Sequence, residues 1–285
     1  MIRRVRLYLS LVQFEHSLFA LPFALTGAFL AARGLPPLGV AIGVVVAAVA
    51  ARTAAMAFNR LADQRFDAAN PRTAGRELPA GAVARGEAWS LVVAASAVFF
   101  AACSQINPWT LSLSPLFLAV TFAYSLTKRF TWLSHAVLGV ALSLAPFGGW
   151  LAVRGTAAGY PWPLSAAVVL WVAGFDAVYA CLDETFDRRA GLFSLPARFG
   201  RPAALWLARA AHLLAFLLFA GTGAMADLGL PFAAGLVIAG AALLAQHVLV
   251  DPRDLSGIQH AFFTMNGAVS LVIFASTWLS LAAGG

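Results

Sequence analysis

Long, nearly uninterrupted apolar runs are the feature that most constrains how this chain can fold. A helix needs about 20 apolar residues to cross a bilayer core, and nine such runs follow one another along the 285 residues. They cover approximately 16–32, 38–58, 87–105, 108–126, 133–153, 163–182, 202–223, 229–249 and 262–282. A composition that is 61% hydrophobic and 11% charged agrees with membrane insertion. The sequence therefore predicts an all-α, polytopic protein of the lipid bilayer with nine transmembrane helices.

The distribution of basic residues predicts the orientation in the membrane. If the N-terminus is cytosolic, nearly all loop arginines and lysines fall on the cytosolic side, and only Arg33 and Arg154 lie opposite. This arrangement places the C-terminus outside and the acidic segments at the cytosolic face of the cytoplasmic (inner) membrane. Because the net charge of +7 is spread over short loops and not gathered on a soluble surface, we expect no nucleic-acid partner.

A polar segment after the second apolar run carries the first candidate site. Asn59, Asp63 and Asp67 recur every four residues and would share one face of a helix. Carboxylates at that spacing repel each other, which favours a bound cation. Arg72 and Arg76 follow, and arginine can hold phosphate oxygens through two hydrogen bonds at once. The segment is thus typical of a site for a metal and a phosphorylated ligand.

A second acidic segment repeats this pattern 120 residues later. Asp183 and Asp187 have the spacing of Asp63 and Asp67, and a Leu-Pro-Ala sequence follows each pair, at 78–80 and 195–197. The repetition predicts a single membrane-embedded domain, 1–285, built from two related halves, about 1–130 and 131–285, around a central cavity. Four facing carboxylates suit Mg²⁺. The alternative is that Asp183 and Asp187 only pair with Arg188 and Arg189 on a solvated loop.

Further candidates lie at the end of the fourth run. Tyr124, Lys128 and Arg129 could be interfacial residues whose basic groups reach the aqueous surface. Beside two magnesium sites, the two basic groups could instead stabilise a leaving diphosphate. The five histidines show no ligand spacing, and we expect packed or interfacial imidazoles at 16, 135, 212, 247 and 260.

These motifs together resemble the UbiA-type intramembrane aromatic prenyltransferases over the whole chain. The family's two aspartate motifs correspond to Asn59-Arg60-x-x-Asp63-x-x-x-Asp67 and Asp183-x-x-x-Asp187, and its YxxxK motif corresponds to Tyr124-x-x-x-Lys128. Two residues depart from the usual pattern: Arg60 replaces an aspartate, and Phe193 replaces a lysine common in the ubiquinone branch. With the segments at 14–25 and 191–200, these departures resemble the bacterial 4-hydroxybenzoate-prenyltransferase-like branch associated with menaquinone made by the futalosine route.

The resemblance implies transfer of a polyprenyl group from its diphosphate to a ring carbon of a small hydroxylated aromatic acid. The acceptor would be 4-hydroxybenzoate or 1,4-dihydroxy-6-naphthoate, in ubiquinone or menaquinone biosynthesis. Two Mg²⁺ ions bridging the diphosphate would be held by the metal ligands Asp63, Asp67, Asp183 and Asp187. The diphosphate would be bound by Asn59, Arg72, Arg76, Lys128 and Arg129, with Tyr124, Lys128 and Arg129 also taking part in catalysis.

Asp176 is the remaining catalytic candidate implied by this chemistry. It shares a helix face with Asp183 but lies seven residues deeper in the sixth run. It could extend the second magnesium site, or orient the acceptor hydroxyl and take up the ring proton. Alternatively, it could pair with a buried arginine such as Arg52 or cap a neighbouring helix. Other functional classes compatible with the sequence are a haem- or chlorophyll-type prenyltransferase and a non-enzymatic membrane transporter.

Overall fold

The computed structural model describes residues 2–250, 255 and 258–284, and helices form almost all of this part of the chain. A short helix, α1 (Ile2–Leu11), precedes a 3₁₀ turn (Phe14–His16) and α2 (Ser17–Ala32). Long helices follow: α3 (Leu38–Ala69), α4 (Arg85–Ile106), α5 (Pro108–Thr127), α6 (Ser134–Arg154) and α7 (Trp162–Ala180). The chain continues through a 3₁₀ turn (Cys181–Asp183), α8 (Glu184–Ala190), α9 (Leu195–Phe199), α10 (Arg201–Met225), α11 (Leu230–Leu249) and α12 (Ile258–Ala282).

The apolar runs of the sequence all become helices, which confirms the prediction of an all-α membrane protein. Within the described residues, 8 helices are long and apolar enough to span a bilayer, and Phe19–Ala32 forms a shorter apolar helix. Their outer faces carry large exposed apolar side chains such as Leu213, Leu230 and Val248. Such faces are suited to lipid, where a helix satisfies its own backbone hydrogen bonds. The protein is therefore a multi-pass membrane protein.

Helix α7 lies at the centre of the bundle. Its Trp171 is fully buried and contacts the rings of Phe19, Phe23 and Phe175. Helices α2 and α6 approach each other closely, because Gly149 lies against the carbonyl of Ala24 and leaves no space for a side chain. Small residues allow such backbone contact between membrane helices. The aromatic core and the close α2–α6 packing fix the frame on which the polar residues are placed.

Helix α3 is longer than predicted. The second apolar run was expected to end at residue 58, but the helix continues to Ala69, so Asn59, Asp63 and Asp67 lie on the helix that their spacing favours. The 32 residues extend about 48 Å, well beyond the roughly 30 Å of a hydrocarbon core. Leucine, alanine and arginine in the last turns favour helix, and Pro71 marks its end because the residue before a proline avoids helical geometry.

Candidate functional site

The ends of helices α3, α5 and α7 and the start of α6 surround the mouth of a cavity of about 370 Å³. Every residue that the sequence singled out as a candidate lines this cavity, although the candidates come from distant parts of the chain. They are Asn59, Asp63, Asp67, Arg72, Arg76, Tyr124, Lys128, Arg129, Asp176, Asp183 and Asp187. The fold therefore brings both acidic segments to one place.

The first acidic cluster occupies the last turns of α3. Asn59 donates a hydrogen bond from Nδ2 to Oδ2 of Asp63 at 3.0 Å, one turn further along the helix. Asp67 is 7% exposed, and its Oδ1 forms an ion pair with Arg76 at 2.7 Å. The second carboxylate oxygen of Asp67 is buried and accepts no hydrogen bond. Such an unsatisfied buried oxygen is costly without a ligand.

The second acidic cluster lies where helix α7 breaks. A 3₁₀ turn, Cys181–Asp183, ends α7, and α8 then begins. Asp183 accepts hydrogen bonds from Nδ2 of Asn70 at 2.9 Å and from Nε of Arg72 at 2.8 Å, and also pairs with the terminal nitrogen of Arg72. Asp187 is 2% exposed and accepts a 2.8 Å hydrogen bond from the hydroxyl of Ser194.

Nearby basic residues of α8 do not neutralise this cluster. Arg188 pairs with Glu184 at 3.0 Å and donates to the carbonyl of Ala197. The alternative in which Arg188 pairs with Asp183 or Asp187 on a solvated loop is therefore not the arrangement in the structure. Instead, both aspartates face the cavity.

The segment between α3 and α4 connects the two clusters. Arg76 pairs with Asp67 of the preceding helix, α3, while Arg72 reaches across to Asp183 and donates to the hydroxyl of Tyr179 at 3.1 Å. Burial by itself lowers the pKa of Arg72, but the hydrogen bonds and charge of Asp183 outweigh this effect and raise it. Each acidic cluster thus holds one guanidinium group from the same segment.

The basic residues at the end of α5 also face the carboxylates. The ammonium nitrogen of Lys128 lies 3.9 Å from Asp187, and Arg129 lies 3.9 Å from Asp63. Burial lowers the pKa of Lys128, but the charges of Asp187 and Asp176 raise it by more, so the net direction is upward. The interfacial alternative, in which these side chains extend into solvent, does not describe Lys128, whose charge points toward the acidic cavity.

Asp176 has a partner that the sequence did not indicate. Its Oδ2 lies 2.6 Å from Nδ1 of His135, whose side chain is 1% exposed. The suggested pairing with Arg52 is absent, because Arg52 instead donates to the carbonyl of Gln13 at 3.4 Å. The expectation that His135 is a packed imidazole is correct for its burial but misses its contact with a candidate catalytic carboxylate.

The structure adds three polar residues to the candidate site. Buried atoms without a hydrogen-bond partner include Nε of Arg52 and the hydroxyls of Ser125 and Ser134, and all three residues line the cavity. An arginine inside an apolar run is a signal that could have identified Arg52 from sequence. The two serines carry no such signal, since serine is common in membrane helices.

Arg60 and Phe193, the two residues that depart from the family motifs, lie in different parts of the structure. Arg60 is 3% exposed and donates from Nε to the carbonyl of Leu11 at 3.2 Å, so it fastens the segment before α2 to α3. The backbone N–H of Phe193 donates to the carbonyl of Lys128 at 2.7 Å, while its ring is 43% exposed. Position 193 thus secures the second acidic segment to the end of α5 through its backbone.

Beyond its charged rim, the cavity is mainly apolar, with Arg52 and a few neutral polar side chains among its lining residues. Its lining follows α3 from Asp67 back to Val44, a distance of about 35 Å along the helix. The walls are formed mainly by apolar residues of several helices. They include Ala47, Ala48 and Ala51 of α3, Phe99 and Cys103 of α4, Phe117 of α5, and Leu142, Ala145 and Gly148 of α6. A charged mouth therefore continues into a long apolar channel.

Within the described residues, no group of three or more His, Cys, Asp or Glu side chains is arranged to hold a metal ion. One carboxylate of each cluster is paired with an arginine instead: Asp183 with Arg72 and Asp67 with Arg76. The histidines offer no alternative site: His212 and His247 contact each other at 2.8 Å, and neither lines the cavity. The side chains of His16 and His260 lie outside the described part of the structure.

Fold and cavity together define an α-helical, multi-pass membrane protein with a charged site at one end of its bundle and an apolar channel behind it. The model of the UbiA prenyltransferase family matches residues 20–268, and the chain belongs to this family. The resemblance inferred from the aspartate and YxxxK motifs is thereby confirmed.

Similar proteins support this assignment over nearly the whole chain. The 4-hydroxybenzoate octaprenyltransferase of Aromatoleum aromaticum is 33% identical, over 98% of this chain and 97% of that protein. The enzyme of the same name from Vibrio cholerae is 32% identical, over 98% of both chains. The apo structure of a UbiA homologue from Aeropyrum pernix is 39% identical, with a TM-score of 0.85 over 92% of this chain and 96% of that one. The protein is therefore a prenyltransferase enzyme and not a transporter.

A more distant structure shares the fold. A UbiA homologue from Archaeoglobus fulgidus, solved with GPP and Mg²⁺ bound, is 20% identical, with a TM-score of 0.74 over 97% of this chain and 99% of that one.

Proposed function

We propose that this protein transfers a polyprenyl group from polyprenyl diphosphate to a ring carbon of a hydroxylated aromatic acid in a Mg²⁺-dependent reaction. The observation that carries the proposal is the cavity in which two acidic clusters and four basic side chains surround the mouth of an apolar channel. A diphosphate with a long hydrocarbon tail has the same division into a charged end and an apolar end. The names of the bacterial relatives agree with this chemistry.

The donor set at the mouth fits Mg²⁺. It consists of carboxylate oxygens, which are the ligands that magnesium prefers together with substrate phosphates. Asp67 already presents a buried oxygen without a partner. Asp63, Asp67, Asp183 and Asp187 would hold two Mg²⁺ ions beside the diphosphate. When bound, Mg²⁺ neutralises the diphosphate and stabilises the charge that develops as it leaves. The Archaeoglobus fulgidus homologue, bound to GPP and Mg²⁺, supports this use of a divalent metal.

The arginines between α3 and α4 would exchange partners when the donor binds. Arg72 and Arg76 neutralise Asp183 and Asp67 through ion pairs in the structure. With these aspartates engaged as metal ligands, both guanidinium groups would be free to bind the diphosphate. Together with Lys128, Arg129 and the amide of Asn59, they would then bind the phosphate oxygens. This exchange keeps buried charges paired in both states, which avoids the large cost of an isolated buried charge.

The channel behind the rim would hold the prenyl tail. Its alanine and glycine residues on α3 and α6 leave room for a hydrocarbon chain, and its rings on α4 and α5 provide apolar contact. Aromatic faces also stabilise nearby cationic charge. Because the walls exclude water, an allylic cation formed at the mouth would meet the acceptor ring before it meets water.

Arg52 is suited to the carboxylate of the acceptor. It lies on α3 below the acidic cluster, lines the cavity, and has a buried Nε without a hydrogen-bond partner. An aromatic carboxylate would satisfy this donor and neutralise its charge. Asp176 lies on the facing helix α7 and lines the same cavity. An acid held by Arg52 would therefore place its ring and hydroxyl between α3 and α7.

The transfer breaks one bond to C1 of the prenyl group and forms another. The bond between C1 of the prenyl group and the diphosphate oxygen breaks, and its electron pair leaves with the diphosphate. An electron pair of the ring forms the new bond to C1, and the ring carbon later loses its proton to restore aromaticity. Asp176 orients the acceptor hydroxyl and takes up the proton. Lys128, Arg129 and the hydroxyl of Tyr124 stabilise the negative charge on the leaving diphosphate.

The acceptor is proposed to be 4-hydroxybenzoate or 1,4-dihydroxy-6-naphthoate. The relatives are named for the first acid, whereas the departures at Arg60 and Phe193 motivate the second. We also propose the cytoplasmic membrane as the location, with the N-terminus and the cavity mouth cytosolic. Supporting this orientation, Arg72, Arg76, Lys128 and Arg129 all lie at the mouth, and Arg154 ends α6 on the opposite side of the bundle.

Product analysis tests this function directly. Membranes containing the protein would receive one polyprenyl diphosphate, Mg²⁺ and either acid, and products would be identified by mass spectrometry together with released diphosphate. We expect a prenylated acid that disappears when Mg²⁺ is chelated. Folded protein that forms no prenylated product from either acid would contradict the proposal.

A substitution at Arg52 tests the assignment of the acceptor site. Arg52→Gln should raise the KM for the aromatic acid at least about tenfold, because a hydrogen bond to a charged group contributes roughly 1.5–3 kcal/mol, and should leave the KM for the diphosphate nearly unchanged. The matched control is Arg209→Gln, which removes another arginine of a membrane helix; Arg209 lies over Trp206 and does not line the cavity. Equal effects of the two substitutions would contradict the role of Arg52.

A further inference from the structure

His135 lies behind Asp176, on the side away from the cavity. Asp176 lines the cavity with 23% of its side chain exposed, whereas His135 is 1% exposed and does not line it. The 2.6 Å contact from Nδ1 of His135 reaches Oδ2 of Asp176 only. The other carboxylate oxygen has no hydrogen bond within the described residues and is available to a ligand in the cavity.

The contact made by the second ring nitrogen of His135, Nε2, identifies which ring nitrogen carries the proton. The backbone N–H of Leu195, the first residue of α9, donates to Nε2 at 3.2 Å. A nitrogen that accepts a hydrogen bond carries no proton, so the proton of a neutral imidazole is on Nδ1 and is donated to Asp176. The N–H groups of a first helical turn lack partners within the helix, so this contact also satisfies α9.

We propose that His135 is a positioning residue for prenyl transfer: its imidazole, fixed by the N–H of Leu195, holds Asp176 so that one carboxylate oxygen faces the acceptor. This inference rests on the proposed function, because it assigns His135 a role through Asp176. A free aspartate at this position could rotate toward Lys128, whose charge acts on it from the end of α5. The hydrogen bond from His135 opposes that rotation and keeps the carboxylate available to the acceptor hydroxyl.

The same residue couples the two parts of the site. Ser194, immediately before Leu195, donates its hydroxyl to Asp187 of the second acidic cluster. His135 therefore contacts Asp176 through one nitrogen and the segment that supports Asp187 through the other.

Two substitutions separate the two contacts of His135. In His135→Asn, the side-chain amide nitrogen can occupy the place of Nδ1 and still donate to Asp176, but the acceptor for Leu195 is lost. In His135→Gln, the longer amide can place its oxygen near Nε2 and accept from Leu195, but the donor to Asp176 is lost. We expect His135→Gln to lower kcat about 10- to 100-fold, the usual effect of losing a residue that orients a functional group. The KM for the diphosphate should change little. His135→Asn should retain most of the turnover.

A double-mutant cycle with Asp176→Asn provides the decisive readout. If His135 acts through Asp176, His135→Gln should cause no further loss in the Asp176→Asn background, since residues acting as one unit are not additive. A merely structural role predicts equal losses in His135→Gln and His135→Asn, or full additivity in the cycle, and either result would overturn the proposal.

The assays are done in membranes, so that loss of stability in detergent does not hide turnover. If His135→Gln does not accumulate in membranes, the test rests on His135→Asn. A loss of turnover in His135→Asn as large as that in Asp176→Asn would then overturn the proposal. Normal turnover of Asp176→Asn itself would remove the proposed role of Asp176 and with it that of His135. By contrast, failure of the wild-type protein to form any prenylated acid would contradict the proposed function as a whole.

Discussion

The two acidic clusters have the same spacing but are built differently. Asp63 and Asp67 lie on one continuous helix, and the arginine that neutralises Asp67 comes from only nine residues further along the chain. Asp183 lies in the 3₁₀ turn that ends α7 and Asp187 lies in α8 after it, and the arginine that neutralises Asp183 comes from 111 residues away. The first cluster is thus a local structure, whereas the second exists only once both halves of the bundle have packed.

This difference indicates unequal roles in holding the site together. Removing a carboxylate from the first cluster should affect metal and diphosphate binding but little else. Removing Asp183 also breaks the contacts with Asn70 and Arg72 that join the segment after α3 to the end of α7. The second cluster should therefore be more sensitive to substitution, both in activity and in stability.

The largest effect is expected for Asp183→Asn. It should lower prenyl transfer by about 10²–10³-fold, the scale for losing one group that stabilises developing charge, and it should also lower the thermal unfolding midpoint. The matched control is Glu184→Gln, which changes the neighbouring carboxylate; Glu184 pairs with Arg188 and Arg201 and does not line the cavity. Turnover and thermal stability would be measured for both, and similar activity in the two variants would contradict the assignment.

Asp63→Asn should lower turnover by about 10²-fold while leaving the fold intact. Asp63 is 31% exposed and faces Asp67 one turn away, so loss of its charge relieves repulsion in the apo state. The unfolding midpoint should stay constant or rise slightly. A marked loss of stability, equal to that of Asp183→Asn, would show that the clusters are structurally equivalent and would contradict the comparison.

Arg72→Gln and Arg76→Gln should each raise the KM for polyprenyl diphosphate about tenfold, since hydrogen bonds to charged groups contribute roughly 1.5–3 kcal/mol. Only Arg72→Gln should also lower stability, because only Arg72 connects distant parts of the chain. Arg85→Gln serves as the control, as its side chain contacts Gln64 outside the cavity. An unchanged KM in both variants would exclude the proposed exchange of partners.

The smallest effect is expected for substitutions that test the membrane topology, which should leave activity unchanged. Cysteines introduced at the exposed positions Ala82 and Ala157 should react with an impermeant thiol reagent from opposite sides of the membrane, Ala82 from the cytosol. The wild-type protein is the control, because its two cysteines, Cys103 and Cys181, are buried. Labelling of both positions from one side would contradict the proposed orientation, in which both acidic clusters lie on the cytosolic side.

The sequence by itself determined the helices, the acidic face of α3 and the family. Apolar runs of membrane length and carboxylates four residues apart are local patterns, and a helix converts such spacing directly into a shared face. The relation between the two halves stays a prediction from the 120-residue repetition.

Only the tertiary structure decided which groups touch. The contact between His135 and Asp176 spans 41 residues, and that between Arg72 and Asp183 spans 111. Neither follows from spacing along the chain, because each depends on how α6, α7 and the segment after α3 pack against one another. Arg52 was visible as a charge in an apolar run, but its place below the first cluster is set by the helices that enclose the cavity. Local periodicity determined which residues share a helix face. Helix packing determined which side chains they contact, because a charge buried in a low-dielectric interior is costly unless it is paired.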